Sequence, residues 1–393
     1  MWVLGLPWAR TLPNGSCSAL LSGHCPQLSP PAGFPSKWIL RVDSLPESMT
    51  GWDVGGAHLK VVEATGAARV SRVVQVPCEL WKGLDQLHAS IDQVQKQLDF
   101  SRSMLAVTMT GELVDHFGSR KEGIDRIVET IGQRFKENEI VYFAGPKGFA
   151  HMSELGSLSA QVASANWLAS GNFIATRLKD ALVIDIGSTT TDVLSIRDHR
   201  VVNEGYTDSE RLHARELVYC GVVRTPVFAL CSTAQVGGRL VPPMNEYFAN
   251  SADVYRLTGE LPSYADTGST PDGRGKDQAS SAIRLARMFG NDAATEQLEM
   301  WRAVAAYVRE QQIQVILDAC RKQILRTGLG LDSPVAGAGA GRFLVREISR
   351  RLNRHYVDVA DLFEHEGAKD GLNAGDCVPA ASIACLGYQR YCL

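Results

Sequence analysis

The chain predicts an α/β fold built twice, and three observations carry that expectation. Gly51-Trp52-Asp53-Val54-Gly55-Gly56-Ala57-His58-Leu59-Lys60 and Asp185-Ile186-Gly187-Ser188-Thr189-Thr190-Thr191-Asp192 follow one pattern. In each, an Asp closes an apolar run, a Gly-rich bend follows, and a second apolar run (Val61-Val62; Val193-Leu194) leaves the bend. Strand-length apolar runs then alternate with segments of helical period in both halves, and a third Gly-rich turn comes near the C-terminus.

Strand, tight turn, strand is the local reading of each Asp motif. One such bend alone is an ordinary hairpin whose Asp caps the turn. Two of them, with a third glycine turn, favour a phosphate-bearing ligand gripped between two halves. Successive amides in such a bend make a concave anion site, to which Ser and Thr hydroxyls add donors. A carboxylate closing an apolar strand costs several kcal/mol unless a cation or hydrogen bonds compensate.

The first half opens with hairpin strands over Trp52–Val76, followed by a helix over Leu84–Leu98. Met104–Met109 is a buried strand ending in Thr110-Gly111-Glu112. A helix spans Gly123–Lys136 (Ile124, Ile127, Val128, Ile131), a strand spans Ile140–Ala144, and a helix around Gln161–Leu168 closes the half. The second half begins with a strand at Ala181–Ile184. Pro262–Gln278 is polar without apolar period and reads as an exposed loop, while Ala282–Phe289 and Gln297–Leu325 read as helices. The expected division is an extension over 1–48, a first domain over 49–180, and a second over 181–393 carrying a helical insertion and the C-terminal helix.

Residues 1–48 hold seven of the sixteen prolines and sustain no hydrophobic period. They read as a disordered extension. The apolar start lacks a basic region and stops at Pro7, unlike a secretory signal. Met49 stands directly before the first motif, so the natural chain is expected to begin there, with the upstream part disordered or an artefact of start-site choice; a targeting or interaction tail is the alternative.

With 393 residues, 45% of them hydrophobic, the chain can bury one large or two medium cores. A formal charge of −3 gives no electrostatic reason to expect nucleic acid or an anionic membrane as partner. No apolar run approaches the roughly 20 residues needed to span a bilayer. The nine cysteines are scattered without a C-x-x-C pair, as in reduced cytoplasmic proteins, and Cys220, Cys231 and Cys385 sit among apolar neighbours as core residues.

The third turn, Val335-Ala336-Gly337-Ala338-Gly339-Ala340-Gly341-Arg342-Phe343-Leu344, runs from a short strand into a helix over Phe343–Leu352. Glycines there allow close ligand approach, and a helix N-terminus favours negative charge. Its G-x-G-x-G spacing is not the dinucleotide fingerprint. Close strand–helix packing without a ligand is the alternative.

The motifs DVGG, DIGSTTTD and GAGAGR resemble, in this order, the phosphate-1, phosphate-2 and adenosine motifs of the actin, Hsp70 and sugar-kinase superfamily. More narrowly, Gly51–Lys60, Thr108–Asp115, Asn166–Ser170, Val183–Asp192, Glu216–Pro226, Ala252–Leu261 and Gly337–Phe343 resemble the hydantoinase/oxoprolinase family. The nearest branch is its tetrahydromethanopterin-linked one-carbon branch, similar to archaeal methanofuran-core synthases. The resemblance covers roughly Met49–Leu386. It implies duplicated ribonuclease-H-like domains around a central cleft. It also implies a synthase that condenses an aminomethylfuran diphosphate with the phenol of tyramine, tyrosine or a glutamylated form, releasing diphosphate.

On that resemblance Asp53 and Asp185 are the expected Mg²⁺ ligands, since Mg²⁺ takes few carboxylates and keeps its waters. Gly55, Gly56, Gly187, Ser188, Thr189 and Thr190 are expected donors to the diphosphate, and Gly337, Gly339 and Gly341 the adenosine turn. Lys60 is a candidate to neutralise phosphate, or a solvated strand-end cation. Asp192 is metal-linked or a base, and Glu112 a second base. Arg224 either binds an acidic acceptor or makes a surface salt bridge, and His58 has no catalytic role. The alternatives are an ATP-dependent small-molecule kinase or amidohydrolase, in which ATP is the cofactor, and a sugar-sensing regulator, which the proline-rich start deprives of a helix-turn-helix. Partners are expected to be small molecules, with no nucleic acid and no membrane; a homodimer is the working expectation for assembly.

Overall fold

The computed structural model describes residues 46–293, 297–366 and 371–393. The expected extension therefore lies outside the described residues up to position 45. Ordered pairing starts one residue before Met49, because Ser48 already opens the first strand, in register with Ser103.

The first sheet is assembled from β1 (Ser48–Val54), β2 (His58–Ala64), β3 (Arg69–Pro77), β4 (Ser103–Met109), β5 (Ile140–Phe143) and β6 (Phe149–His151). β1, β2 and β3 form an antiparallel meander, and β4 and β5 add parallel to β1, giving the order β3-β2-β1-β4-β5-β6. β1 and β4 are buried along their whole length, as central strands covered on both faces must be. Helices α1 (Leu84–Gln95) and α2 (Arg120–Arg134) cover one face. There Trp52 packs against Phe100 and Phe135. α2 starts three residues before the expected Gly123, because the Ser119 hydroxyl caps the Glu122 amide.

The expected helix around Gln161–Leu168 is two helices, α3 (Leu155–Val162) and α4 (Asn166–Arg177). Between them Ser164 adopts φ +48, and its hydroxyl bonds the Glu112 carboxylate. Local periodicity favours a continuous helix, and this tertiary bond breaks it.

The second sheet repeats the plan with β7 (Ala181–Ile186), β8 (Thr191–Arg197), the short β9 (Arg200–Val201) pairing β8, and β10 (Leu217–Val218). α5 (Asp208–Ala214) precedes β10, and a separate ribbon joins β11 (Ala234–Val236) to β12 (Arg239–Val241). The insertion holds α6 (Ser251–Thr258), α7 (Gln278–Met288) and α8 (Leu298–Thr327). β13 (Val335–Ala338) and β14 (Tyr356–Asp358), linked by α9 (Arg342–Arg351), complete the order β10-β8-β7-β13-β14. A three-strand meander extended by two parallel strands, made twice, is a duplicated ribonuclease-H-like fold. β15 (Glu364–His365) returns to the free edge of β3.

The chain ends in α10 (Val378–Tyr391), expected with the second half. It packs instead on the first sheet. A Cβ at Gly51 would lie 2.0 Å from the Ala380 carbonyl oxygen, so the helix sits directly on β1 at that glycine. α4 and α10 share one core with faces of both sheets. The stretch 262–277 is free of helix and strand but is not simply exposed. Its Asp266 pairs with Arg256 and its Asp272 with the fully buried Arg284, while Ala265 is buried. Polar composition there reflects ion pairing.

Candidate functional site

The two Asp motifs fold alike. In the first hairpin Asp53 lies opposite Lys60, and in the second Asp185 lies opposite Asp192. The seven-residue offset thus becomes cross-strand pairing. The bends close the same way, with the Gly55 amide donating to the His58 carbonyl (3.0 Å) and the Gly187 amide to the Thr190 carbonyl (2.9 Å). The amides of Gly56, Ala57, Ser188 and Thr189 donate to no acceptor among the described residues.

Each bend is braced by the segment that follows its sheet. Cys78 and Leu80 donate their amides to the Ala57 and Gly56 carbonyls. Val222 donates to Gly187, and Val223 and Arg224 donate to Ser188. A Cβ at Gly221 would meet backbone of the second bend at 2.5 Å, so only glycine lets that brace close.

Both bends open onto one cavity of about 510 Å³. Its wall includes Asp53, Gly55, Gly56, Lys60, Asp185, Gly187, Ser188, Thr189, Thr190 and Asp192. Asp53 is buried, and its Oδ1 has no hydrogen-bond partner among the described residues. Burial pushes its carboxyl up to about 6, against the pull of the Lys60 ammonium and of Asn166. Burial and then Asp192 raise Asp185 to about 7. Burial alone disfavours the charge of Lys60, but Cys377 and the carboxylates of Asp53, Asp185 and Asp376 outweigh it and raise its pKa. Lys60 also donates to the Asp376 carbonyl at 3.1 Å. It is a half-buried cation amid carboxylates, not a solvated strand end.

Asp192 accepts from Arg211 at 2.7 Å, and Arg211, itself buried, lies 4.2 Å from the Trp167 ring. His58 contacts the Thr267 hydroxyl at 2.9 Å. Burial and the nearby Lys60 and Arg224 lower its pKa to about 3, which favours the neutral imidazole, and it stands on the same cavity wall.

The residues fit a hydrated divalent cation. No three His, Cys, Asp or Glu side chains converge among the described residues, which rules out an all-protein cage of them there. Mg²⁺ needs only one or two carboxylates. The unpartnered Asp53 Oδ1, on the same cavity wall as Asp185, is the kind of buried acceptor a cation would satisfy.

Glu112 and the third glycine turn are not brought to this cavity wall. Glu112 is fully buried and does not line the cavity; its Oε1 accepts from Ser164 at 2.9 Å, and burial raises its pKa. It is linked to the cavity wall through Ser164, which lines it, and through Arg120, which pairs with the wall residue Asp208. Gly337, Gly339 and Gly341 also lie off the cavity wall. A Cβ at Gly339, where φ is +78, would come within 2.3 Å of the Ile186 oxygen and 2.4 Å of Asp185 Oδ1. At Gly341 it would meet the Ile186 side chain, and at Gly337 that of Tyr356. The close approach these glycines permit is by protein, and it props the strand end that carries Asp185.

Sequence reading missed Arg211, Asp208, Ser164 and Trp81, which reach the wall from loops and helix ends with no local pattern to mark them. It also missed the clasp behind Lys60, where Asp376 accepts from Tyr264 and Arg342.

Two ribonuclease-H-like halves, with paired Asp-Gly bends on a shared cavity, define a protein of the actin, Hsp70 and sugar-kinase fold. The fold is shared with the nucleotide-free acetone carboxylase, at TM-score 0.51 and 11% identity over 86% of this chain and 69% of that one. The chain belongs to the hydantoinase/oxoprolinase family, whose model matches residues 103–365. It is 34% identical over 244 residues to the (4-{4-[2-(gamma-L-glutamylamino)ethyl]phenoxymethyl}furan-2-yl)methanamine synthase of Methanocaldococcus jannaschii, covering 62% of this chain and 71% of that protein. To the synthase of the same name from Methanococcus vannielii it is 30% identical over 160 residues, covering 39% and 72%. Among the described residues no helix is long and apolar enough to cross a membrane. The described cysteines, Cys220, Cys231 and Cys385 among them, are free and buried.

Proposed function

We propose that this protein joins an aminomethylfuran diphosphate to the phenol of tyramine, tyrosine or a γ-glutamyl derivative, forming an aryl ether and releasing diphosphate. The product class is a precursor of methanofuran-type cofactors in tetrahydromethanopterin-linked one-carbon metabolism. The observation that carries the reading is one cavity holding both phosphate bends, with four undonated amides, in a chain a third identical to a synthase named for that phenoxymethylfuran linkage.

The phenol proton passes to a carboxylate, and Asp192 on the cavity wall is assigned as that base. The phenolate oxygen bonds to the furylmethyl carbon as the carbon–oxygen bond to diphosphate breaks, and the electron pair leaves with diphosphate. A furylmethyl carbon tolerates positive charge, so stabilising the leaving anion is the main demand. With the amides of Gly55 and Gly187 closing the bends, the free backbone amides of Gly56, Ala57, Ser188 and Thr189, the hydroxyls of Ser188, Thr189 and Thr190, and the Lys60 ammonium supply it. They are held in place before the charge develops, which is commonly the largest catalytic contribution. Mg²⁺ held by Asp53 and Asp185 would add charge neutralisation at the diphosphate. Glu112 positions Ser164 at the cavity edge.

The test is incubation with aminomethylfuran diphosphate and phenolic acceptors, followed by mass spectrometry, beside an ATP-hydrolysis control. Ether and diphosphate formed without ATP, with diphosphate inhibiting competitively against the furan, are the expected outcome. Strict ATP dependence with ADP and phosphate as products overturns the reading in favour of a kinase or amidohydrolase.

A further inference from the structure

The segments that brace the two phosphate bends each deliver one more side chain to the cavity. Trp81 directly follows Leu80, whose amide holds the first bend, and Arg224 ends the run that holds the second. The two meet, with the Arg224 guanidinium 4.5 Å from the centre of the Trp81 ring. Both line the cavity and both are half-buried. Stacking on an indole satisfies the face of a guanidinium and leaves its N–H edge for a partner. Arg224 makes no ion pair with a carboxylate among the described residues, whereas many other arginines of this chain do.

A second anomaly lies on the same wall. Leu113 and Tyr219 are 52% and 65% exposed, and both line this cavity. Apolar side chains left in water beside a stacked, unpaired arginine suit a ligand that is aromatic in its body and anionic at one end. The phosphate bends already supply amides and Lys60 for a diphosphate, so the anionic group served here is a different one.

We propose that Arg224, laid on Trp81, reads a carboxylate at the far end of the aryl acceptor, and so selects an acidic, amino-acid-bearing phenol over a simple phenolic amine. This rests on the ether-synthase reading above. Because Trp81 belongs to the first half and Arg224 to the second, the acceptor is gripped by the pair that spans the two bends.

The experiment compares γ-glutamyltyramine with tyramine as acceptors, reading kcat/KM at fixed furan diphosphate and, separately, binding of each phenol by calorimetry. The wild-type protein is expected to prefer γ-glutamyltyramine. In Arg224→Gln the ratio of the two kcat/KM values is expected to fall by about 10–100-fold, the span of one lost hydrogen-bonded charge partner. Trp81→Leu, altered in the other half, should lower the ratio in the same direction, which guards against misfolding of either variant alone. An unchanged ratio overturns the proposal. So does an equal fall for both acceptors with a raised KM for the furan diphosphate, which would assign Arg224 to the leaving group. If neither phenol is turned over, the synthase reading fails, and the calorimetric preference still decides whether Arg224 recognises a carboxylate.

Discussion

The two Asp-Gly hairpins share a backbone and differ in what faces the motif aspartate. Opposite Asp53 stands Lys60, and opposite Asp185 stands a second carboxylate, Asp192. The first hairpin is thus nearly self-neutral, while the second is doubly acidic and takes its relief from outside, through Arg211. Their bends diverge too. The first exposes glycine and alanine amides, and the second adds the hydroxyls of Ser188, Thr189 and Thr190. One anion cradle occurs twice, and the cross-strand residue makes one copy charge-balanced and the other acidic. Burial raises both motif aspartates, but the like charge of Asp192 raises Asp185 further, to about 7 against about 6 for Asp53.

The largest expected effect tests whether both halves act together. Asp53→Asn and Asp185→Asn should each lower turnover by roughly 10³-fold and weaken Mg²⁺-dependent diphosphate binding measured by calorimetry, with the fold intact by circular dichroism. Near-wild-type turnover in both would reduce the motifs to structural hairpins.

Next comes the prop under the second hairpin. Gly339→Ala places a Cβ against Ile186 and Asp185 at positive φ and should cost about 2–4 kcal/mol of stability, read as a lower melting temperature. Turnover of the furan diphosphate should fall with it, because Asp185 is what the new methyl displaces. A variant that loses only nucleotide binding while keeping stability and ether formation would instead assign this turn to adenosine.

Lys60→Met asks how much the asymmetry matters. It leaves Asp53, Asp185 and Asp376 without their shared cation, so the KM for the furan diphosphate should rise and kcat should drop, together by about 10–100-fold. An unchanged KM would remove Lys60 from diphosphate binding.

The smallest effect concerns stability against pH. A carboxyl whose folded pKa is raised from 3.8 to about 6 favours folding fully only below the unfolded value, and that contribution disappears as pH rises through 6. Asp185, raised to about 7, behaves the same way over a slightly higher range. Asp53→Asn should therefore be more stable than wild type by on the order of 1–3 kcal/mol at pH 8, and the gap should close near pH 4. Chemical denaturation at the two pH values measures it. A gap that widens toward acid would show Asp53 to be a stabilised anion, compensated already without metal.

Much of this was legible from order and spacing. Near-continuous apolar runs marked the central strands at Met104–Met109 and Ala181–Ile184, because a strand covered on both faces is built mainly of apolar residues. The equal seven-residue offset from Asp53 to Lys60 and from Asp185 to Asp192 was visible in the sequence, and the strand register showed that it pairs each across its hairpin. What was illegible depends on contacts between distant segments. No periodicity announces that Ser164 breaks a helix to bond Glu112, that the C-terminal helix returns to Gly51, or that Asp266 and Asp272 anchor a polar loop to arginines.

The glycines mark the boundary between the two kinds of information. Local sequence determined that Gly55, Gly187 and Gly339 sit in turns, since turn chemistry acts over three or four residues. Only the tertiary structure decided what approaches them: a cavity at the first two, and the backbone of Ile186 with the Asp185 carboxylate at the third. A missing side chain admits whatever the rest of the chain brings near, and long-range packing alone sets whether that is ligand or protein.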